Sequence, residues 1–159
     1  MLPPHCHLQK AQHRPLSVQG DFMVEKTGVL QVCVTCKRVP LPGQEVPDGP
    51  PDGQALFEAL QDACAKRPDL DGQIAITPVE CMNGCQLACT VAIRADNKYN
   101  FVIGKLDSSA EKIDDLLNFA QSFVDSENGL PPWRDRPVHI RKNTLVRLHP
   151  VSSQSIIQD

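Results

Sequence analysis

Cysteine is the residue type in this chain with the most chemical potential, at seven positions in 159 residues. Cys33 and Cys36 form a C-x2-C pair, and Cys81, Cys85 and Cys89 follow after residues 37–80. Thiolates are the soft ligands preferred by zinc and by iron–sulfur clusters. Two cysteine pairs therefore indicate a tetrahedral sulfur site for a metal, although the spacing alone does not distinguish the two metals.

Composition limits the classes of protein to which the chain can belong. A net charge of −3 and 4% aromatic residues do not favour binding to nucleic acid. We find no apolar run near the roughly eighteen residues that a membrane helix needs. The odd number of cysteines, and a start that does not resemble a signal peptide, argue against a secreted disulfide protein. We therefore predict a cytoplasmic protein whose clustered cysteines bind metal.

The chain divides into three parts by composition. Residues 1–22 are polar and aperiodic, which predicts a disordered tail, and we interpret its His5, Cys6, His7 and His13 as chance occurrences. Residues 23–128 carry the periodic apolar patterns of a folded domain. Residues 129–159 are rich in arginine, and we predict an irregular C-terminal extension.

The patterns in the central part predict four strands and two helices. A β-branched run over 29–34 ends at the first cysteine pair, and runs over 74–79, 90–93 and 99–104 predict three further strands. Apolar residues at helical spacing predict one helix from Asp52, with Asp52 as its N-cap, and another from Ser108. Cys64 lies on the apolar face of the first helix and is predicted to be a core residue. The order β-α-β-β-β-α predicts a layered α/β sandwich, and both cysteine groups lie where a strand ends.

Two segments resemble the cluster loops of thioredoxin-like [2Fe-2S] ferredoxins, a domain also found in the small iron–sulfur subunit of respiratory complex I. These segments run from Val32 to Cys36 and from Val79 to Cys89. The resemblance implies a thioredoxin-like fold and a small electron-transfer protein that exchanges electrons with a protein partner. It also implies a [2Fe-2S] cluster, whose ligands would be Cys33, Cys36, Cys81 and Cys85.

A narrower resemblance covers most of the chain. Residues 29–150 are similar to a family of short bacterial proteins described only as metal-binding. The stretches Cys81–Leu106 and Pro132–Pro137 carry this similarity.

Two departures from the ferredoxin pattern bear on the fourth ligand. The ferredoxins usually space their first two ligands more widely than C-x2-C, which makes Cys36 the least secure of the four. Cys89 stands where those ferredoxins commonly have proline. It is either an alternate fourth ligand or a small buried residue, and we favour Cys36 because its turn closes easily around one metal.

Two other functions compete with electron transfer. A structural zinc site would hold the loops of a binding protein or adaptor. Thiol–disulfide exchange at the Cys33–Cys36 pair would need activation by a helix N-terminus, and the Pro- and Gly-rich stretch that follows Cys36 argues against such a helix.

No motif indicates an enzyme, and a homodimer is compatible with the sequence. Lys37 and Arg38 are either charges that offset a cluster and guide a partner or ordinary solvated residues. Four arginines of the extension are likewise either a docking surface for an acidic partner or ordinary solvated residues. These are Arg134, Arg136, Arg141 and Arg147.

Overall fold

The computed structural model describes residues 28–38, 40–45 and 48–151, which form one sheet of five strands with helices packed against it. The predicted disordered tail lies outside these residues. The strands are β1 (Gly28–Cys33), β2 (Ile74–Val79), β3 (Val91–Arg94), β4 (Asn100–Ile103) and β5 (Thr144–Leu148). The helices are α1 (Asp52–Cys64), α2 (Ala110–Asp125) and α3 (Val138–Asn143), with short 3₁₀ helices at Cys85–Leu87 and Trp133–Asp135.

The strand order in the sheet is β2-β1-β3-β4-β5. β1 pairs in parallel with β2, and α1 supplies the crossover between them, as a parallel pair requires. The other three pairings, β1 with β3, β3 with β4 and β4 with β5, are antiparallel. The mixed α/β fold and the predicted order β-α-β-β-β-α are confirmed.

The core lies between one face of the sheet and the two longer helices. α1 and α2 contact each other, and both contact β1, so they cover the same face. Alternate side chains of the central strands point to this face and are buried, as the period of a strand dictates. They are Leu30, Val32, Val91, Ile93, Phe101 and Ile103. No helix in the described ranges combines the length and the apolar character needed to span a bilayer.

The C-terminal extension differs from its predicted irregular form. Between its 3₁₀ helix and Pro150 it contains α3, which buries Ile140, and β5, which pairs with β4. β5 was missed because four of its five residues are exposed, so its sequence lacks the alternation of a half-buried strand. The strand is stabilised by backbone hydrogen bonds to the otherwise open edge of β4. These contacts make the extension part of the same sheet.

Lys98 is a buried cation, only 7% exposed, at the C-terminal end of α2. Its Nζ donates to the carbonyl oxygens of Phe123 (3.1 Å), Val124 (2.7 Å) and Ser126 (2.6 Å). The last carbonyls of a helix have no partner within the helix and carry its negative end charge. Lys98 therefore satisfies several of them at once and links the turn between β3 and β4 to α2.

Replacing this ammonium group tests its structural role. Lys98→Met keeps the length of the side chain but removes the ammonium donor from the three carbonyls. In the described part of the chain, only that of Phe123 also accepts a side-chain hydrogen bond, from the Ser126 hydroxyl (3.0 Å). We expect the free energy of unfolding, measured by urea denaturation, to fall by about 2–4 kcal/mol. The matched control is Lys66→Met at an exposed position, with an expected change within about 0.5 kcal/mol. An unchanged midpoint for Lys98→Met would contradict the role assigned to Lys98.

Candidate functional site

The two cysteine loops leave the sheet at the same edge. Cys33, the last residue of β1, is in register with Val79, the last residue of β2. The amide of Cys33 also donates to the carbonyl of Thr90, which directly precedes β3 (3.2 Å). Because β1 and β2 run in parallel, both end here, and the antiparallel β3 starts here. The segment from β2 to β3, which holds Cys81, Cys85 and Cys89, therefore adjoins the Cys33–Cys36 turn.

Direct contacts join the two loops next to Cys81. The amide of Val34 donates to the carbonyl of Val79 (2.9 Å). The Cys33 thiol donates to the carbonyl of Glu80 (3.4 Å), and the Thr35 hydroxyl donates to the same oxygen. Glu80 is the residue before Cys81. The first cysteine pair is thus in contact with the start of the second cysteine loop, as the sequence predicts.

The five cysteines differ sharply in exposure. Cys33 and Cys36 are 2% and 3% exposed, and Cys89 is fully buried. Cys81 and Cys85 are exposed, and the Cys81 sulfur accepts a hydrogen bond from the Asn83 amide (3.2 Å). Across 28–38, 40–45 and 48–151, no three His, Cys, Asp or Glu side chains are grouped as they would be around a metal ion. The structure brings the cysteine loops together without placing their sulfur atoms in a closed ligand set.

The N-terminus of α1 packs on the Cys33–Cys36 turn, contrary to the sequence argument that no helix is near it. The amide of Gly53 donates to the carbonyl of Cys36 (3.0 Å). A Cβ on Gly53 would overlap the carbonyl oxygen of Cys33, so only glycine allows this approach. The stretch between Cys36 and Asp52 loops away and returns. The partial positive charge of the helix N-terminus therefore lies beside the turn.

Arg38 ties the cysteine turn to two other parts of the fold. Its amide donates to Asp52 Oδ2 (2.7 Å) and its Nε to Asp52 Oδ1 (3.2 Å). Its Nη1 lies 3.6 Å from Asp107 Oδ2, in the connection between β4 and α2. The hydrogen bond from the Arg38 backbone, followed by its side-chain bond and charge, lowers the pKa of Asp52. Asp52 is thus a first-turn residue that binds Arg38 rather than the predicted N-cap, which is Pro51.

The pKa values of the two thiols in the turn are shifted in opposite directions. Burial alone would raise the pKa of Cys33, but hydrogen bonds from the Cys36 side chain, the Met82 backbone and Thr35 lower it overall. For Cys36, burial and the hydrogen bond with Cys33 raise the pKa of the thiol. Its sulfur lies 3.7 Å from the hydroxyl oxygen of the buried Thr90. The thiolate of the pair is therefore favoured at Cys33.

Cys89 is fixed in the core at the entry to β3. Its amide and carbonyl both pair with Leu106 (3.0 and 3.1 Å). Burial, followed by the charges of Cys36 and Asp52, raises the pKa of its thiol to about 12.

Cys64 also behaves as predicted, since it is half-buried on α1 and packs against the core. Cys6 and the three N-terminal histidines lie outside the described residues.

Three further residues belong to this site, namely Gly53, Arg38 and Thr90. The sequence analysis singled out only Arg38 among them. One local signal marks Gly53, because glycine in the first turn of a helix is costly unless close packing requires it. The pairing of Arg38 with Asp52 and Asp107 has no comparable signal. It adds a structural role to the two interpretations of Arg38 that the sequence left open, since the side chain is 53% exposed.

Comparison with solved structures identifies the class of fold. The thioredoxin-like [2Fe-2S] ferredoxin from Aquifex aeolicus superposes with a TM-score of 0.50 at 20% identity, over 78% of this chain and 94% of that chain. The wild-type form of the same ferredoxin at 1.5 Å resolution gives a TM-score of 0.46 at 22% identity, over 76% and 97%. The fold is that of the thioredoxin-like ferredoxins.

The family is shown by the sequence itself. Residues 30–150 match the family described as "Protein of unknown function (DUF1636)", and the chain belongs to that family. No curated protein is significantly similar to the chain in sequence. The predicted membership in a family without assigned function is thereby confirmed, whereas its metal binding and its bacterial origin remain predictions.

The contact between α1 and the cysteine turn predicts a specific sensitivity at Gly53. Gly53→Ala introduces a Cβ that overlaps the Cys33 carbonyl, so either the turn or the helix must move. We expect the free energy of unfolding to fall by about 2–3 kcal/mol in urea denaturation. Gln54→Ala, one residue further along α1, removes only a surface hydrogen bond to Glu58 and should change it by less than about 0.5 kcal/mol. Equal stability of the two variants would rule out the close approach.

The buried thiol of Cys89 predicts a pH dependence. Its pKa is about 12 in the folded chain against 9.0 ordinarily, so between these values the unfolded chain loses the proton first. Stability should therefore fall as pH rises above 9, by about 1 kcal/mol per pH unit from this group. In Cys89→Ala, the free energy of unfolding should fall less steeply with pH, because this contribution is absent. The measurement is urea denaturation from pH 8 to 11 under reducing conditions. Parallel curves for the variant and the wild type would show that Cys89 is not a buried neutral thiol.

Proposed function

We propose that this chain binds a [2Fe-2S] cluster through Cys33, Cys36, Cys81 and Cys85 and carries single electrons to or from a protein partner in the cytoplasm. The observation that carries the proposal is the meeting of both cysteine loops at one sheet edge, with Cys33 in contact with the residue before Cys81. The thioredoxin-like ferredoxin fold supports it. We propose an electron carrier rather than an enzyme.

The donor set fits this cofactor in kind. The side chains that line the meeting point and can ligate a soft metal are thiols, which suits an iron–sulfur cluster or zinc. Two carboxylates beside the turn, Asp52 and Asp107, are paired with Arg38. Cys81 and Cys85 lie in an exposed loop, so ligation requires that loop to close over the Cys33–Cys36 turn. When bound, the cluster supplies a one-electron couple.

The residues around the turn would favour the thiolate form of the ligands and adjust the reduction potential of the cluster. Hydrogen bonds from the Met82 backbone and Thr35 favour the thiolate form of Cys33, which is the ligating form. Hydrogen bonds to ligating sulfur withdraw electron density and raise the reduction potential. Gly53 and Arg38 hold the turn against α1 and thereby fix the position of the inner cysteine pair.

We propose Cys36 rather than Cys89 as the fourth ligand. Cys36 lies in the same turn as Cys33, and its amide donates to the Cys33 carbonyl (3.4 Å), so the two can act as a pair. The backbone amide and carbonyl of Cys89 both pair with Leu106. Burial raises the pKa of both thiols, to about 12 for Cys89, so the backbone pairing of Cys89 is what distinguishes the two. Cys89 is better suited to pack beneath the site than to ligate a metal.

Thiol–disulfide exchange is a second candidate because of two observations that the sequence did not reveal. The α1 N-terminus lies beside the turn, and the pKa of Cys33 is lowered while that of Cys36 is raised. Against this candidate, both thiols are at most 3% exposed, so a disulfide substrate would not reach them. A structural zinc site has the same donors, and no contact in the described residues favours it over iron.

Anaerobic purification and a serine series test the cluster and its ligands together. The wild-type protein should contain iron and inorganic sulfide, be reddish-brown, and lose its visible absorption on addition of dithionite. Serine at Cys33, Cys81 or Cys85 should remove or strongly destabilise the cluster, because each loss exposes an iron to water. Cys36→Ser should change the visible and paramagnetic spectra, and Cys89→Ser should leave their form unchanged.

The matched control is Cys64→Ser, which changes a half-buried cysteine on α1 and should retain the full iron content. A colourless protein with stoichiometric zinc would replace the proposal with the structural-site alternative. A wild-type spectrum for Cys36→Ser together with its loss in Cys89→Ser would reverse the assignment of the fourth ligand.

A further inference from the structure

The C-terminal segment 129–151 is basic and apolar at its surface, unlike the rest of the chain. It has five Lys and Arg residues and one acidic residue, Asp135, which gives +4 in a chain of net charge −3. Among the described residues, most of the large apolar side chains that are exposed lie in this segment. They are Trp133, Val138, Leu145, Val146, Leu148 and Val151. Contiguous exposed apolar surface in a soluble domain marks an interaction site.

The segment is held against the second cysteine loop at Gly104. The amide of Gly104 donates to the carbonyl of Asn143 (2.9 Å), and its carbonyl lies 3.1 Å from His139 Nε2, so α3 is fixed here. The next amide, that of Lys105, donates to the carbonyl of Leu87 in the 3₁₀ helix that begins at Cys85 (2.8 Å).

No side chain fits at Gly104 itself. A Cβ there would lie 2.8 Å from the Leu87 carbonyl and 3.0 Å from Leu145 Cδ1. The glycine thus brings the cysteine loop and β5 into close approach. The exposed residues around Gly104 form a surface that we call the basic apolar patch. It consists of Leu87, Lys105, Lys142 and Leu145.

The basic apolar patch has the composition of a docking site beside an electron-transfer centre. Leu87 and Leu145 are each 37% exposed, and Lys105 and Lys142 are exposed. The cysteine loop from Cys81 to Thr90 contains no charged residue, so the charge of the basic apolar patch comes from its two lysines. Within the part of the chain that the structure describes, neither lysine forms an ion pair.

We propose that the basic apolar patch docks an acidic protein redox partner next to Cys85, and this rests on the proposed function. The partner presents carboxylates to Lys105 and Lys142 around a small apolar centre that covers Leu87 and Leu145. Charge complementarity of this kind sets the encounter rate and orientation, while the apolar centre excludes water. The patch carries positive charge on a protein of negative net charge, so it also selects which side of the molecule the partner meets.

Paramagnetic mapping tests the surface without requiring a cluster. Hexacyanochromate(III), a redox-inert trivalent anion, is titrated into the ¹⁵N-labelled full chain, and it stands in for the partner's carboxylates. We expect selective broadening of the Lys105, Lys142 and Leu145 amides. The double variant Lys105→Glu/Lys142→Glu should reduce that broadening about tenfold. The control Lys66→Glu/Arg94→Glu has the same net charge, with both changes at exposed positions away from Gly104, and should retain the broadening.

Kinetics tests the same surface as a route for electrons. The dithionite-reduced protein is mixed with hexacyanoferrate(III) at low ionic strength. The oxidation rate should be about tenfold lower in the Lys105/Lys142 double variant and within about twofold of wild type in the control. With hexaamminecobalt(III), a trivalent cation, the Lys105/Lys142 variant should instead react faster than wild type.

The outcomes separate the surface from the cluster. Broadening at a different surface, or an equal loss of it in both double variants, would overturn the docking proposal. Equal slowing of both variants by hexacyanoferrate(III) would also overturn it, because net charge alone would then explain the rates. A protein without a cluster that still shows the selective broadening would refute the proposed function while supporting a docking surface for anionic partners.

Discussion

The parallel pairing of β1 with β2 is the constraint on which the rest of the site depends. It puts Cys33 in register with Val79, so the first cysteine turn and the loop that starts at Glu80 leave the sheet side by side. A parallel pair needs a crossover, and α1 supplies it. The same crossover brings the α1 N-terminus back to the Cys36 carbonyl. One strand pairing thus brings the two cysteine loops and a helix end together from segments far apart in the chain.

The two thiol pairs lie in different environments, and this difference in burial bears on the proposed function. The Cys33–Cys36 pair is buried, hydrogen-bonded and tied down by Gly53 and Arg38. Cys81 and Cys85 are exposed. A rigid inner pair combined with an accessible outer loop suits a centre that must keep its position yet exchange electrons at the surface. Protein near the inner pair lowers the local dielectric, and the hydrogen bonds to Cys33 sulfur offset the cost of its negative charge.

The C-terminal segment completes the sheet and changes the surface beside the outer loop. β5 covers the edge of β4, which limits the exposed edge strands to β2 and β5 itself. The absence of a side chain at Gly104 lets α3 and β5 pack close to the Cys85–Leu87 turn. The segment that the sequence presents as an arginine-rich tail therefore contributes to the fold. It also contributes to the surface that we propose for docking a partner.

The sequence by itself determined the elements whose signal is local. The β-branched runs that end at the cysteines, the apolar stripes of α1 and α2, and the order β-α-β-β-β-α follow from periodicity, because each element buries one face. The position of both cysteine groups at strand ends also predicted that the two cysteine loops would adjoin at one edge of the sheet. Tertiary structure alone decided the approach of α1 to the turn, the pairing of Arg38 with Asp52 and Asp107, and the strand at Thr144–Leu148. It also placed Cys89 in backbone pairing with Leu106, which no sequence pattern indicates. These features depend on contacts between distant residues, whose free energies no local pattern encodes.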